Sequence, residues 1–204
     1  HHLFRWFLKR MLSDQVGDKE LKRYLRHVAR ASARWGSLES AAEFFLRAGE
    51  YVSAASVLRV LGWRMVQSAR DEDLLNLLSR FPERIVQSKP WLLLYRSYCR
   101  RYSHAAENVA DLQKAKNMFE RDGNIKGRIL ALGYLMEAII LIGRDPVSVH
   151  DLLAEAETLL SGLSFSEHPR EQDHLWLQMG FCYTLRSKDT RDGYRASQNA
   201  YLLA

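Results

Sequence analysis

Cysteine is scarce in this chain of 204 residues, with two, Cys99 and Cys182. They lie far apart, each inside an apolar helical pattern, so they form neither a disulfide framework nor a CxxC metal or redox pair. Buried, inert thiols in a reducing cytoplasm are the expectation. Proline is nearly as scarce, at four residues, and apolar residues reach 47%, which excludes a disordered or collagen-like chain. Long apolar runs are missing too. Residues 131–142 come nearest but contain Glu137, and a bilayer needs roughly 18–20 residues. No secretory leader opens the chain, and no membrane association is expected. Because it begins without Met and ends inside a helical pattern (RASQNAYLLA), a piece of a longer protein is expected.

Catalytic signatures are equally absent. There is no G-x-x-x-x-G-K-[ST], G-x-G-x-x-G, H-E-x-x-H, G-x-S-x-G or zinc-type Cys/His spacing. No catalytic residue, metal site or cofactor is therefore assigned, and an enzyme is not expected. The densest titratable group is Glu167, His168, Glu171, Asp173 and His174. It reads as a solvated loop and helix start, since carboxylates favour a helix N-terminus.

The net charge of +6 is unevenly placed: residues 1–34 carry nine Lys/Arg against three Asp/Glu, and the remainder carries 21 of each. A basic N-terminal arm on a neutral body argues against a general nucleic-acid surface. Within that arm Lys22, Arg26, Arg30 and Arg34 recur at i, i+4 spacing, forming one basic ridge. Neighbouring like charges repel slightly, so an acidic segment of the chain, or solvent, is expected opposite. An acidic partner or a nucleotide phosphate is the sharper alternative.

The periodicity is helical throughout. Residues 38–62 (LESAAEFFLRAGEYVSAASVLRVLG) read as two back-to-back helices, one with Ala41, Ala42, Phe45, Leu46 and Ala48 on a stripe, the other with Ala54, Ala55, Leu58 and Leu61. Gly36, Gly49 and Gly62 stand 13 residues apart where helices are expected to stop. Before them, Asp18 is a plausible N-cap for a helix over 19–35 that buries Leu21, Tyr24, Leu25, Val28, Ala29 and residues 31–33. After them come helical patterns over 51–68, 71–81, 91–102, 106–121, 126–142, 147–160 and 170–186, and a partial one from Tyr194. With an amphipathic stretch over 1–12, this makes about ten helices and no strand. The fold class is all-α, with antiparallel helix pairs stacked as in a tetratricopeptide-like α-solenoid, a right-handed superhelix.

Two resemblances follow from particular residues. Trp176, Met179, Gly180 and Tyr183 match the spacing of the first tetratricopeptide helix, and Ile129, Leu132, Gly133 and Met136 match it more loosely; Ala196 and Ala200 are similar to the small residues of its second helix. In that motif the glycine lets the paired helix cross closely. The opening HHLFRWFLKRML resembles the helix that closes the winged-helix part of STAND-class signal-transducing ATPases, typified by the maltose-regulon activator among large LuxR-type regulators. Glu39 to Ala55, and then Leu77, Leu78, Phe81, Pro82, Glu83, Ile85, Val86, Pro90, Trp91, Leu92 and Leu94, follow that family's order and spacing.

The resemblance implies three segments: 1–16, the end of a winged-helix segment; 17–103, degenerate helical repeats; and 104–204, tetratricopeptide-like repeats. It further implies a cytoplasmic sensor region that binds a small inducer or a regulatory protein. ATP would belong to an upstream domain and DNA to an output domain. A passive tetratricopeptide scaffold, with a groove of charged and Asn residues suited to an extended peptide, is the alternative, and an RNA-binding repeat a distant third. For a ligand groove the candidates are Trp91, Tyr95, Tyr98 and Tyr102, at i, i+4, i+7, i+11, flanked by Arg96, Arg100 and Arg101. The stripe is either core or the lining of a concave face.

Overall fold

Small residues at helix contacts, and turns that accept a left-handed residue, generate the architecture. A computed structural model describes residues 17–143, 147–164, 166 and 168–186, and every regular element among them is helical. There are ten: α1 (Asp18–Arg34), α2 (Leu38–Arg47), α3 (Tyr51–Gln67), α4 (Asp71–Leu78), α5 (Glu83–Val86), α6 (Pro90–Cys99), α7 (Ala105–Arg121), α8 (Ile125–Leu141), α9 (Val147–Ser161) and α10 (Pro169–Arg186). The expected helices over 1–12 and from Tyr194, together with Ala196, Ala200 and Glu167, lie outside the described residues. No helix among the described residues is long and apolar enough to cross a membrane.

The chain divides into two compact units, His1–Ser88 and Lys89–Ala204. The division falls ahead of α6. The reason is packing: α6 lies against α7 and α8, so Leu92, Leu93, Leu94 and Tyr95 enter the second unit's core.

In unit 1, α1 packs on α2, α2 on α3, and α3 on α4. Ala41, Ala42, Ala54 and Leu58 are fully enclosed, and Phe45, Leu46, Ala48, Ala55 and Leu61 nearly so; the alanines let the helix axes approach closely. Three turns in this unit share one geometry. A residue with positive φ follows each helix, and the next amide donates back to a carbonyl five residues earlier: Ser37 to Ser32 (2.9 Å), Glu50 to Phe45 (2.9 Å) and Arg70 to Met65 (3.0 Å). Gly36 (φ 78°) and Gly49 (φ 73°) provide two of these turns, and Ala69 (φ 51°) provides the third.

Three expectations are corrected here. Gly62 does not stop a helix: it is buried within α3, which runs on to Gln67. And α1 buries Leu25 and Ala29, whereas Tyr24 and Val28 are exposed and Trp35 is 88% exposed. The contact with α2 covers one flank, which leaves Tyr24, Val28, Ala31 and Trp35 along an uncovered one. Gly17, not Asp18, takes the N-cap position of α1.

In unit 2, α7 and α8 form the tightest pair, α6 and α10 both lie against α8, and α9 contacts α8 and α10. Two glycines make the crossings possible. A Cβ at Gly127 would fall 2.4 Å from the Phe119 ring, and one at Gly133 would fall 2.7 Å from His174 Cδ2. The buried Asn108 donates to the Ser97 carbonyl at 3.1 Å, joining α7 to α6.

Candidate functional site

The hollow in unit 1 arises because α2 and α4 both lean on α3 and meet each other through side chains. Its two adjoining parts measure about 410 and 440 Å³ and share Glu39, Ser40, Met65 and Arg70. The first is completed by the Gly36–Leu38 turn, Leu61, Arg64 and Ser68. The second is completed by Glu43, Asp73, Asn76, Leu77 and Arg80. On α2, Glu39 and Glu43 stand one turn apart on a single face. On α4, Asp73, Asn76 and Leu77 recur at helical spacing on the facing side, and Arg80 follows in the turn after it.

Ion pairs span the gap. The Arg70 guanidinium donates to Glu39 Oε1 at 2.6 Å and Oε2 at 3.4 Å, and its Nε donates to Asp73 Oδ2 at 2.8 Å. The hydrogen bonds to Glu39, and then to Asp73, hold Arg70 even more firmly protonated than usual. Arg80 grips both oxygens of Glu43 in the same forked manner. Arg64 lines the hollow, exposed, with no ion pair among the described residues. Buried Met65 forms an apolar floor. Such an arrangement can hold a polar chain along charged walls.

The aromatic stripe divides. Tyr95 is in the core, 1% exposed, and Trp91 stacks on Phe119 (4.9 Å, edge-on) and Tyr95 (5.6 Å). Tyr98 meets Tyr134 edge-on at 5.3 Å, and Tyr134 meets His174 at 4.4 Å. Tyr102 lies beyond the end of α6, exposed, and Arg101 sits over both Tyr98 (4.0 Å) and Tyr102 (4.7 Å). Arg96 is bound to Asp111 at 2.6 Å; Arg100, the C-cap of α6, is half-buried. The six candidate residues thus do not share one surface. What α6, α8 and α10 bring together is a column of Tyr98, Tyr134 and His174. In it the imidazole fills the notch at Gly133, its Nε2 enclosed and without a hydrogen-bond partner among the described residues. Burial, and then the Arg101 charge, lower the His174 pKa to about 4. Burial raises the nearby Glu137 carboxyl against the pull of Arg101.

The basic ridge is also split. Arg26 pairs with Glu50 (Nε to Oε1 at 2.8 Å), which supplies the acidic neighbour expected opposite it; Lys22, Arg30 and Arg34 are exposed. In the acidic and histidine cluster, Glu171 binds Lys126 at 2.8 Å while His174 turns to Tyr134. No group of His, Cys, Asp and Glu among the described residues is placed to hold a metal ion.

No family model matches the chain, and no curated protein or solved structure matches it either.

Proposed function

We propose that this chain is the helical-repeat recognition region of a larger STAND-type, LuxR-like transcriptional regulator, and that it receives a small inducer or a regulatory protein in the groove of unit 1. The groove is the observation that carries this reading. It is open, polar-walled and apolar-floored, which suits recognition. The repeated turns at Gly36, Gly49 and Ala69, and the stacking of α6 and α10 on α8, support antiparallel pairs wound as a right-handed superhelix. On this reading the region works in the cytoplasm, ATP is bound by a preceding domain, and DNA is reached through an output domain. The passive peptide scaffold is favoured by one feature, the exposed Asn76 amide among charged side chains.

Thermal unfolding against sugars, nucleotides, amino acids and short peptides tests it. A ligand at 100 times its Kd adds about 2.7 kcal/mol, or about 5–10 °C for a domain this size. The expected result is a shift with one class that disappears in Asn76→Arg/Leu77→Glu. A shift that survives this double substitution moves the site elsewhere, and no shift with any class defeats the reading. Sensor and scaffold separate in the whole regulator. A sensor's ligand affinity changes with nucleotide state because coupling is reciprocal, and a scaffold's does not.

A further inference from the structure

We propose that the unit 1 groove recognises an acidic, extended segment of a partner polypeptide, whose carboxylates take Arg70 and Arg80 over from Glu39 and Glu43. This rests on the groove being the recognition site, and it supplies the chemistry of what enters.

Glu39 and Glu43 behave as an internal stand-in for such a segment. One helical turn separates them, a rise of about 6 Å, and each is gripped by its own guanidinium group. An extended chain repeats a side chain on the same face every two residues, about 6.8 Å. Acids at alternate positions of a strand therefore repeat at close to the rise from Glu39 to Glu43, the two carboxylates that Arg70 and Arg80 now hold.

The exchange is an easy one. Both pairs are exposed, with side-chain exposures of 41% and 56% for Arg70 and Glu39 and 38% and 42% for Arg80 and Glu43, and exposed pairs contribute little to stability. Each pair is forked, the geometry by which arginine best reads a carboxylate. A third guanidinium, Arg64, lines the same hollow with no carboxylate of its own among the described residues. Exposed Asn76 lies on the α4 wall between Asp73 and Arg80 and can bond to a peptide backbone with its amide. Glu39 and Glu43 thus make the groove self-occupied, and removing them improves binding.

Fluorescence polarisation of a labelled nine-residue peptide with Glu at alternate positions, beside its Gln and Lys counterparts, tests this on the full chain. The Glu peptide is expected to bind at least about tenfold more tightly than either counterpart, with affinity falling as salt rises. Glu39→Gln/Glu43→Gln should tighten it several-fold, and Arg70→Gln/Arg80→Gln should abolish it in a chain whose circular dichroism is unchanged. Affinity unaltered or weakened by the Glu39→Gln/Glu43→Gln pair would overturn the proposal. So would inorganic phosphate binding the same site as tightly as the peptide. If the Glu and Gln peptides bind equally and Asn76→Arg blocks both, the groove remains the recognition site and the acidic chemistry falls. If no peptide binds but a small molecule from the thermal panel does, again only the acidic proposal falls.

Discussion

In unit 1 the arginines that reach across helices, Arg26, Arg70 and Arg80, are 38–41% exposed and meet carboxylates 33–56% exposed. In unit 2 the cross-helix pair Lys116–Glu155 closes at 2.5 Å with side chains 8% and 21% exposed. Arg128 adds a second bond to Glu155 at 2.9 Å and reaches Glu120 at 3.1 Å. Burial pushes the Glu155 carboxyl up, but hydrogen bonds from Lys116 and Arg128 outweigh it, so Glu155 titrates below the usual range. One kind of helix pairing thus puts charge to two uses. On the rim of a hollow it stays exposed to solvent; within a helix interface it holds elements in place.

The largest expected effect follows directly. Glu155→Leu strands Lys116 in a site with little solvent, and breaking a buried pair from one side costs about 3–5 kcal/mol. Glu43→Leu in the groove removes an exposed pair, worth about 0–1 kcal/mol. Urea unfolding of the two variants measures the contrast. Equal losses would mean that the groove pairs are structural as well, and would remove the reason for treating them as exchangeable.

A smaller effect comes from His174. Its folded pKa of about 4 lies below the ordinary 6.5, so between those values the unfolded chain binds a proton that the folded chain refuses. Its share of stability is complete above pH 6.5 and is lost as the pH falls toward 4. The loss is up to about 1.4 kcal/mol for each pH unit, or about 3–5 °C in Tm. Arg101 and Lys126 bring positive charge to this region, and Glu137, Glu171 and Asp173 bring carboxylates, so the chain's whole pH profile contains several contributions. The difference between wild type and His174→Gln isolates the imidazole. Parallel Tm curves for the two from pH 7 to 5 would show that the ring is not held neutral in the Gly133 notch.

The helices were legible because their signals are local. The alanine, phenylalanine and leucine stripes of α2 and α3 recur within a turn or two, and Gly36 and Gly49 mark stops wherever they fall. The groove was not legible. Its pairs join residues 31 and 37 apart, Glu39 to Arg70 and Glu43 to Arg80, and no spacing along the chain announces that α2 and α4 stand side by side. The aromatic stripe, read as either core or groove lining, divides for a related reason. Helical spacing places Trp91, Tyr95, Tyr98 and Tyr102 along one side, but α7 covers Trp91 through Phe119 while the helix ends before Tyr102. Similarly, α1 carries apolar residues around more of its circumference than α2 covers, so periodicity overstated what is buried there.

The turn at Ala69 supplies the smallest expected effect. It repeats the backbone of Gly36 and Gly49 with a residue that has a Cβ, and left-handed backbone costs a non-glycine residue about 1–2 kcal/mol. Gly62, seven residues earlier, occupies a helical position where glycine gives no such benefit. Ala69→Gly should therefore stabilise unit 1 by about 1 kcal/mol, a rise of about 2–4 °C in Tm, partly offset by the greater freedom of glycine in the unfolded chain. The turn also sets where Arg70 leaves α3 to meet Glu39, because the Arg70 amide closes it on the Met65 carbonyl at 3.0 Å. Acidic-peptide affinity should be unchanged in Ala69→Gly if that hydrogen bond alone holds the arginine in place. A gain in Tm with a loss of affinity would instead assign the alanine to the groove: a strained turn kept because its Cβ narrows the paths by which Arg70 can swing away. Neither gain nor loss in Tm would mean that unit 1 already relaxes around the methyl group, and the contrast between a pliant groove and a tightly pinned second unit would then extend to the backbone.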